Sequence, residues 1–360
     1  MTDQEPQEFT FEYQGSGTSV AEYAFTFEDE QTTVELSKAD LTDKKELPGA
    51  SLKVTDEDGN TVDEWVSKEE AHIIKGLIVG KKYKMTETKP ADGYVTAESI
   101  EFTVENTKEV QKHQMLDDVT KVEISKKDIT DSSEVPGAKL IILDKDGKKV
   151  ESWTSTDKPH MVEKLPVGEY TLCEEQAPDG YLIAEDVKFT VKDTGKVQKV
   201  KMKDAHPYGK LVIKKTDSTS KAALPGAEFE LREKESGKVV EKLVTDKTGT
   251  ATSGKIPIAT YKNGKVEKTV EYILVETKAP NGYELSSKKE EIRFEYKDGK
   301  TKVIEIVKEI KNTKSPSGST PTGNSPKTGD STNIWLPILL AVLSACGIGG
   351  VIWYKKKKGN

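Results

Sequence analysis

The sequence predicts an all-β chain: three tandem β-sandwich repeats, then a polar linker and a single apolar C-terminal span. Three observations carry this. The chain resembles itself at a period of roughly 90 residues. VELSKADLTDKKELPGASL from Val34 returns as VEISKKDITDSSEVPGAKL from Val122 and as LVIKKTDSTSKAALPGAEFEL from Leu211. Between these openings run short alternating segments broken by turns such as Asp58-Gly59-Asn60, Asp146-Gly147 and Ser236-Gly237, the pattern of a sandwich. No stretch of the repeats carries helical periodicity.

Composition narrows the function classes. The 360 residues hold 55 Lys and Arg against 62 Asp and Glu, a net charge of −7. The length suits two to three ordinary domains rather than one large core. Charges of both signs are interspersed, which favours solubility and leaves no nucleic-acid footprint. The only basic run is Lys355 to Lys358. Cys173 lies within a repeat and Cys346 within the apolar tail, so no disulfide framework is expected. The four histidines show no metal-ligand spacing. DEDG at Asp56 and DKDG at Asp144 lack the further oxygen ligands and distal Glu of a calcium loop and read as hairpin turns. Neither metal nor cofactor is expected.

In chain order, residues 1–32 are polar and acidic, without the basic start and apolar core of a signal peptide. Phe25 to Asp29 alternates like a strand, and Asp29 precedes Lys38 by the interval that separates Asp117 from Lys126. This segment reads as the tail of a preceding repeat, or as a leader. The repeats then occupy residues 33–118, 119–207 and 208–313. The third is longer between Gly249 and Lys268, and the extra residues are assigned to a surface loop. Residues 314–324, rich in Ser, Thr, Pro and Gly, form an extended, disordered linker. Within residues 325–360, Ser325-Pro326-Lys327-Thr328-Gly329 precedes Ile334 to Trp353, which is apolar and long enough to cross a bilayer as a helix. The four closing lysines keep that end cytoplasmic and the repeats outside.

The chemistry lies in a box that occurs once per repeat: YKMTETKPADGY from Tyr83, YTLCEEQAPDGY from Tyr170 and YILVETKAPNGY from Tyr272. Strand alternation puts Glu87, Glu174 and Glu276 on an apolar face and turns Glu175 outward. The opening strands place Lys38 with Val34 and Leu36, Lys126 with Val122 and Ile124, and Lys215 with Leu211 and Ile213. The closing strands place Asp117 with Met115, Asp204 with Val200 and Met202, and Asn312 with Ile306 and Ile310. Lys308 interrupts the third face, and His113 and Leu116 blur the first. A lone buried charge is costly, so each set is a buried salt-bridge triad or a covalent crosslink. For the second, burial disfavours ammonium and carboxylate, giving a nucleophilic neutral lysine and a protonated glutamate. The glutamate would polarise the Asp or Asn carbonyl and shuttle protons. Holding the groups in contact supplies a high effective molarity. The product is an isopeptide, with loss of water or ammonia. Composition alone leaves triad and crosslink open.

The lysine strand, the Pro-Gly-Ala segments after Leu47, Val135 and Leu224, and the Glu box resemble the B-type repeat of collagen adhesins and pilins of Gram-positive bacteria (the Cna B-type or SpaA-like domain). The resemblance implies immunoglobulin-like sandwiches, each with an autocatalytic isopeptide. Carried over, the sets are Lys38-Glu87-Asp117, Lys126-Glu174-Asp204 and Lys215-Glu276-Asn312. Pro90-Ala91 inverts the usual Ala-Pro order in the first box. Residues 325–360 resemble a sortase sorting signal in which Ser325 replaces the usual Leu. That implies cleavage between Thr328 and Gly329 and attachment of Thr328 to peptidoglycan.

The expected function is a cell-wall-anchored stalk, itself a sortase substrate and not an enzyme, that carries a host-binding head from outside this sequence. A pilus subunit is the alternative; pilins of this family use a Tyr-Pro-Lys lysine, and no Tyr-Pro-Lys occurs here. A surface hydrolase would need a nucleophile and base in a polar cleft, and no such constellation is evident.

Overall fold

A computed structural model describes residues 8–10 and 30–316. Phe25 to Asp29, the linker beyond residue 316, the SPKTG segment and the apolar span lie outside the described residues. Among the described residues no helix is long and apolar enough to cross a membrane.

Among the described residues every regular element is a strand. The first domain holds β1 (Thr33–Asp40), β2 (Ser51–Thr55), β3 (Thr61–Val66), β4 (His72–Lys75), β5 (Lys82–Lys89), β6 (Ile100–Thr103) and β7 (Gln111–Asp117). The second holds β8 (Lys121–Asp128), β9 (Lys139–Asp144), β10 (Lys149–Thr154), β11 (His160–Glu163), β12 (Gly168–Gln176), β13 (Val187–Val191) and β14 (Gln198–Asp204). The third holds β15 (Tyr208–Asp217), β16 (Glu228–Glu233), β17 (Val239–Val244), β18 (Thr250–Thr252), β19 (Ile256–Pro257), β20 (Ala259–Lys262), β21 (Lys265–Thr269), β22 (Glu271–Lys278), β23 (Glu290–Arg293) and β24 (Val303–Asn312).

Each domain is a two-sheet sandwich. One sheet runs β3-β2-β5-β6, repeated as β10-β9-β12-β13 and β17-β16-β22-β23. The other centres on the opening strand: β4-β1-β7, β11-β8-β14, and β15 flanked by β18, β19 and β24. The opening and closing strands of each domain pair in parallel, in registers that set Asp40 opposite Asp117, Asp128 opposite Asp204 and Asp217 opposite Asn312. Alternation buries Val34 and Leu36 against Leu52, Val54, Met85 and Phe102; the second core repeats this with Ile124, Leu140 and Leu172, the third with Ile213, Phe229 and Leu274. Thr32 belongs to the first sandwich: it is buried, and its hydroxyl donates to the Leu77 carbonyl at 2.6 Å.

Three details refine the sequence reading. Lys308 stays on the inward side of β24, at the sheet edge, with Glu290 3.8 Å away. His113 also keeps its inward phase and stacks on Phe102 at 4.6 Å. The residues between Gly249 and Lys268 are not a plain surface loop. They build β18, β19 and the hairpin β20–β21, which turns through Asn263-Gly264 with both φ angles positive. Asn-Gly between alternating segments is a strong signal for such a two-residue turn.

Candidate functional site

The three charged or polar residues singled out in each repeat converge. The lysine lies near the end of the opening strand, and its Asp or Asn partner ends the neighbouring closing strand of the same sheet. The glutamate comes from the facing sheet, on β5, β12 or β22. Each trio therefore bridges both layers at one end of the core. All nine side chains are buried; Lys38, Lys126 and Lys215 are 1%, 2% and 0% exposed. Lysine is almost never fully buried without a partner, and here each has two.

Lys38 Nζ contacts Asp117 Oδ1 and lies 2.9 Å from Glu87 Oε1. Lys126 Nζ contacts Asp204 Oδ1 and lies 2.9 Å from Glu174 Oε2. Lys215 Nζ contacts Asn312 Oδ1 and lies 3.0 Å from Glu276 Oε1. Asn312 Nδ2 donates to Glu276 Oε1 at 2.9 Å. Glu175 faces out and pairs with Lys149 at 2.9 Å.

A feature that spacing did not reveal holds each glutamate. The backbone N–H ten residues further on donates to its Oε2: Ala97 to Glu87 at 2.6 Å, Ala184 to Glu174 at 2.6 Å and Ser286 to Glu276 at 3.0 Å. The inverted Pro90-Ala91 pair leaves this contact in place.

The electrostatics separate the aspartate domains from the asparagine domain. Burial pushes the Asp117 carboxyl up to about 7, against the opposing pull of Lys38, with Glu87 adding to the rise. Asp204 is likewise pushed up to about 7 by burial, aided by Glu174 and opposed by Lys126. One ammonium cannot hold two buried carboxylates ionised, so one of them keeps a proton more readily. In both domains the aspartate's carboxyl is one that burial raises. Hydrogen bonding agrees. Although Lys38 Nζ is near, Glu87 Oε1 lacks an aligned hydrogen-bond donor, as do Asp117 Oδ2, Glu174 Oε1 and Asp204 Oδ2. A shared carboxyl proton satisfies such a pair, the part Asn312 Nδ2 plays in the third domain. Burial also lowers Lys215, against the pull of Glu276. A pocket of about 300 Å³ lies against Glu276, with Ser286, Leu274, Phe229, Glu309 and Ile310 also in its lining.

A second polar pair was present in the repeat strings but given no role. The aspartate two residues after each lysine accepts from the tyrosine that ends each box: Asp40 from Tyr94 at 2.8 Å, Asp128 from Tyr181 at 2.7 Å and Asp217 from Tyr283 at 2.9 Å. Lys164 joins the first pair, 3.3 Å from Asp40 Oδ2. Burial raises Asp40, but hydrogen bonds from Thr42, Tyr94 and Lys164 outweigh it and hold the carboxyl down at about 2. Lysine beside aspartate thus occurs in two electrostatic settings in one chain.

A family model for the SpaA prealbumin-like fold domain matches residues 32–118, 120–206 and 209–310. Among solved structures, the Bacillus anthracis TIE protein is similar at 28% identity and a TM-score of 0.53. That match covers 79% of this chain and 52% of the other, so this chain spans about half the length of that protein. BcpA, the major pilin subunit of Bacillus cereus, is 19% identical with a TM-score of 0.47, over 79% of this chain and all (100%) of that one. The full-length major pilin SpaD of Corynebacterium diphtheriae is 18% identical with a TM-score of 0.37, over 81% of this chain and 99% of that one. No curated protein matches the sequence.

Proposed function

Because the chain belongs to the SpaA family of prealbumin-like domains and carries three of them in tandem, we propose that it is the stalk of a Gram-positive surface protein, each domain locked by an internal isopeptide. The observation that carries this reading is the buried Lys, Glu and Asp or Asn trio, repeated in one geometry in all three domains.

The chemistry balances within each domain. A neutral lysine amine attacks Cγ of Asp117, Asp204 or Asn312, forming the N–C bond. The glutamate takes a proton from the nitrogen and returns it to the leaving group. The Cγ–O bond breaks in the aspartate domains, releasing water; the Cγ–N bond breaks in the asparagine domain, releasing ammonia. A protonated aspartate is the better electrophile, because a carboxylate repels attack and holds a poor leaving group. The raised Asp117 and Asp204 fit that need. Contact between the groups replaces a bimolecular encounter. Each reaction happens once, so the chain modifies itself without turning over a substrate.

The position of the bond explains its use. Opening and closing strands are parallel neighbours, and the linked residues lie near their C-terminal ends. Tension entering β1 at Thr33 would cross from Lys38 to Asp117 and leave the domain. The residues between them would be bypassed, and sheet hydrogen bonds would not bear the force. Intact mass tests this directly: the chain should be lighter than its sequence by two waters and one ammonia. A mass equal to the unlinked sequence would refute the reading.

The C-terminal segment completes it. A sortase would cleave after Thr328 and join it to peptidoglycan, with the apolar span and lysines holding the precursor at the membrane. Muralytic digestion, and not detergent, should then release the protein from cells.

A further inference from the structure

Two junctions join the three domains, and they are built from different chemistry. The first connector is Asp118-Val119-Thr120, between β7 and β8. The connector itself is shielded: Val119 packs with Leu47, Ala50, Ala91 and Tyr94, and the buried Thr120 hydroxyl donates to the Leu165 carbonyl at 2.6 Å. The longer side chains that reach across the joint make polar contacts. Lys164 Nζ reaches from the second domain to Tyr94 Oη at 2.6 Å and to Asp40 at 3.3 Å, with half of its own side chain (52%) in solvent. The backbone N–H and hydroxyl of Thr96 donate to the exposed Asp193 carboxylate at 2.9 and 2.7 Å. Gly93 lets the Lys164 backbone approach closer than a Cβ would permit.

The second connector is Ala205-His206-Pro207, between β14 and β15. Here the third domain sends its additional hairpin, β20–β21, back onto the second. Tyr261 lies flat on His206, with ring centroids 3.4 Å apart and planes 2° from parallel. It meets the wholly buried Tyr181 edge-on at 5.2 Å and donates to the Gly180 carbonyl at 2.8 Å. Val135, Ala177, Tyr181 and Ile183 form a small apolar cluster that Tyr261 closes. Val266 of the hairpin packs where any side chain at Gly180 would sit. Beside the hairpin, Tyr296 donates to the Tyr181 carbonyl at 3.0 Å and the Ile183 N–H donates to the Gly299 carbonyl at 2.8 Å. The first two domains have no counterpart of this hairpin among their strands.

We propose that β20–β21 is a docking arm that fuses the second and third domains into one rigid body, and that the stalk flexes at the ionic joint between the first and second. The physical difference is in what screens each contact. Exposed ion pairs contribute little and weaken with salt. The second joint also holds a polar contact, His206 Nε2 to Asp128 Oδ2 at 2.9 Å, but Asp128 is wholly buried and salt screens such a pair much less. Aromatic packing and shielded backbone hydrogen bonds do not depend on ionic strength in that way. The inference goes beyond the stalk reading, because it holds whether or not the isopeptides form.

The test uses the full chain in detergent, with Cys173→Ser and Cys346→Ser, and nitroxide labels at exposed sites in pairs: Lys84→Cys with Lys145→Cys, and Lys145→Cys with Lys247→Cys. Pulsed electron resonance reads each distance distribution as salt rises from roughly 0.01 M to 1 M, which shortens the screening length from about 30 Å to about 3 Å. The first pair should broaden with salt, and Lys164→Ala should broaden it already at low salt. The second pair should stay narrow throughout. Tyr261→Ala should broaden only the second pair, with Tyr261→Phe in between, since the ring stays and the hydroxyl bond is lost. An unchanged circular dichroism spectrum keeps misfolding out of the comparison. A first pair indifferent to both salt and Lys164→Ala, or a second pair as narrow in Tyr261→Ala as in the parent, overturns the proposal.

Discussion

Replacing Glu276 by alanine isolates the step that makes the third crosslink. Glu276 accepts from Asn312 Nδ2 at 2.9 Å and Ser286 N at 3.0 Å, and lies 3.0 Å from Lys215 Nζ. Without it no carboxylate is in place to move the proton, so Lys215 and Asn312 should remain unlinked. Two costs follow. Lys215 and Asn312 are 97 residues apart in sequence, and a crosslink closing a loop of roughly 100 residues stabilises by about 4.7 kcal/mol in the chain-entropy model. Removing one partner of a buried ion pair costs about 3–5 kcal/mol more. Together they come to about 8–10 kcal/mol, comparable with the whole stability of a domain. Asn312→Ala separates the two, because it abolishes the link and leaves the Lys215–Glu276 pair. It should lose only the loop term, about 5 kcal/mol, which for a domain of this size lowers Tm by roughly 20–40 °C. The assay is tryptic mapping of the Lys215–Asn312 link together with thermal unfolding of wild type and both variants. An intact link in Glu276→Ala would refute the proton-transfer role. A shared Tm for wild type and Asn312→Ala would refute the stabilising role of the bond.

Four further outcomes are expected. Link formation on refolding an unlinked precursor should depend on pH differently in the three domains: raised Asp117 and Asp204 deprotonate as pH climbs through about 7, so their acid form falls about tenfold per pH unit above it. Asn312 has no acid to lose, so its link should form without that alkaline decline; equal profiles by time-resolved peptide mapping would count against the assignment. The same sign applies to stability before linkage, since a carboxyl raised in the folded state favours folding below its unfolded value near 3.8 and loses that contribution as pH rises through about 7. Lys164 and Asp40 should remain unlinked at every pH near neutrality, because a carboxyl held at about 2 stays ionised; a Lys164–Asp40 crosslinked peptide would show that contact alone suffices. Thr328→Ala should move the protein from the muralytic fraction to the detergent-soluble fraction, and retention of the variant in the wall would exclude sortase attachment at that residue.

Much of this molecule is written in local pattern. Period-2 alternation fixed which side of each strand faces the core, and that alone put Lys38, Glu87 and Asp117, with their counterparts, among apolar neighbours. The repeats multiplied the signal, because a lysine on an apolar face three times is not an accident of one strand. The fold class followed from the same pattern, since strands that bury one face must pair as layers. The apolar span and its lysines are likewise a property of the sequence, read without any structure.

What the sequence did not decide depends on distances between segments far apart in the chain. Alternation says inward; it does not say which inward groups touch. The parallel register of β1 on β7 brings Lys38 to Asp117, and the packing of the opposite sheet brings Glu87 to both. The rise of the Asp117 carboxyl comes from desolvation and from Glu87 beside it, an environment that exists only in the folded state. The Asp40–Tyr94 pair was visible as letters but had no partner until the β1 turn met the end of the box. The hairpin at Asn263-Gly264 had a local signal, and its docking had none: Tyr261 finds His206 and Tyr181 only when two domains are set end to end. Sequence period reports the environment along one strand, whereas contact across sheets and domains is a property of the assembled surface.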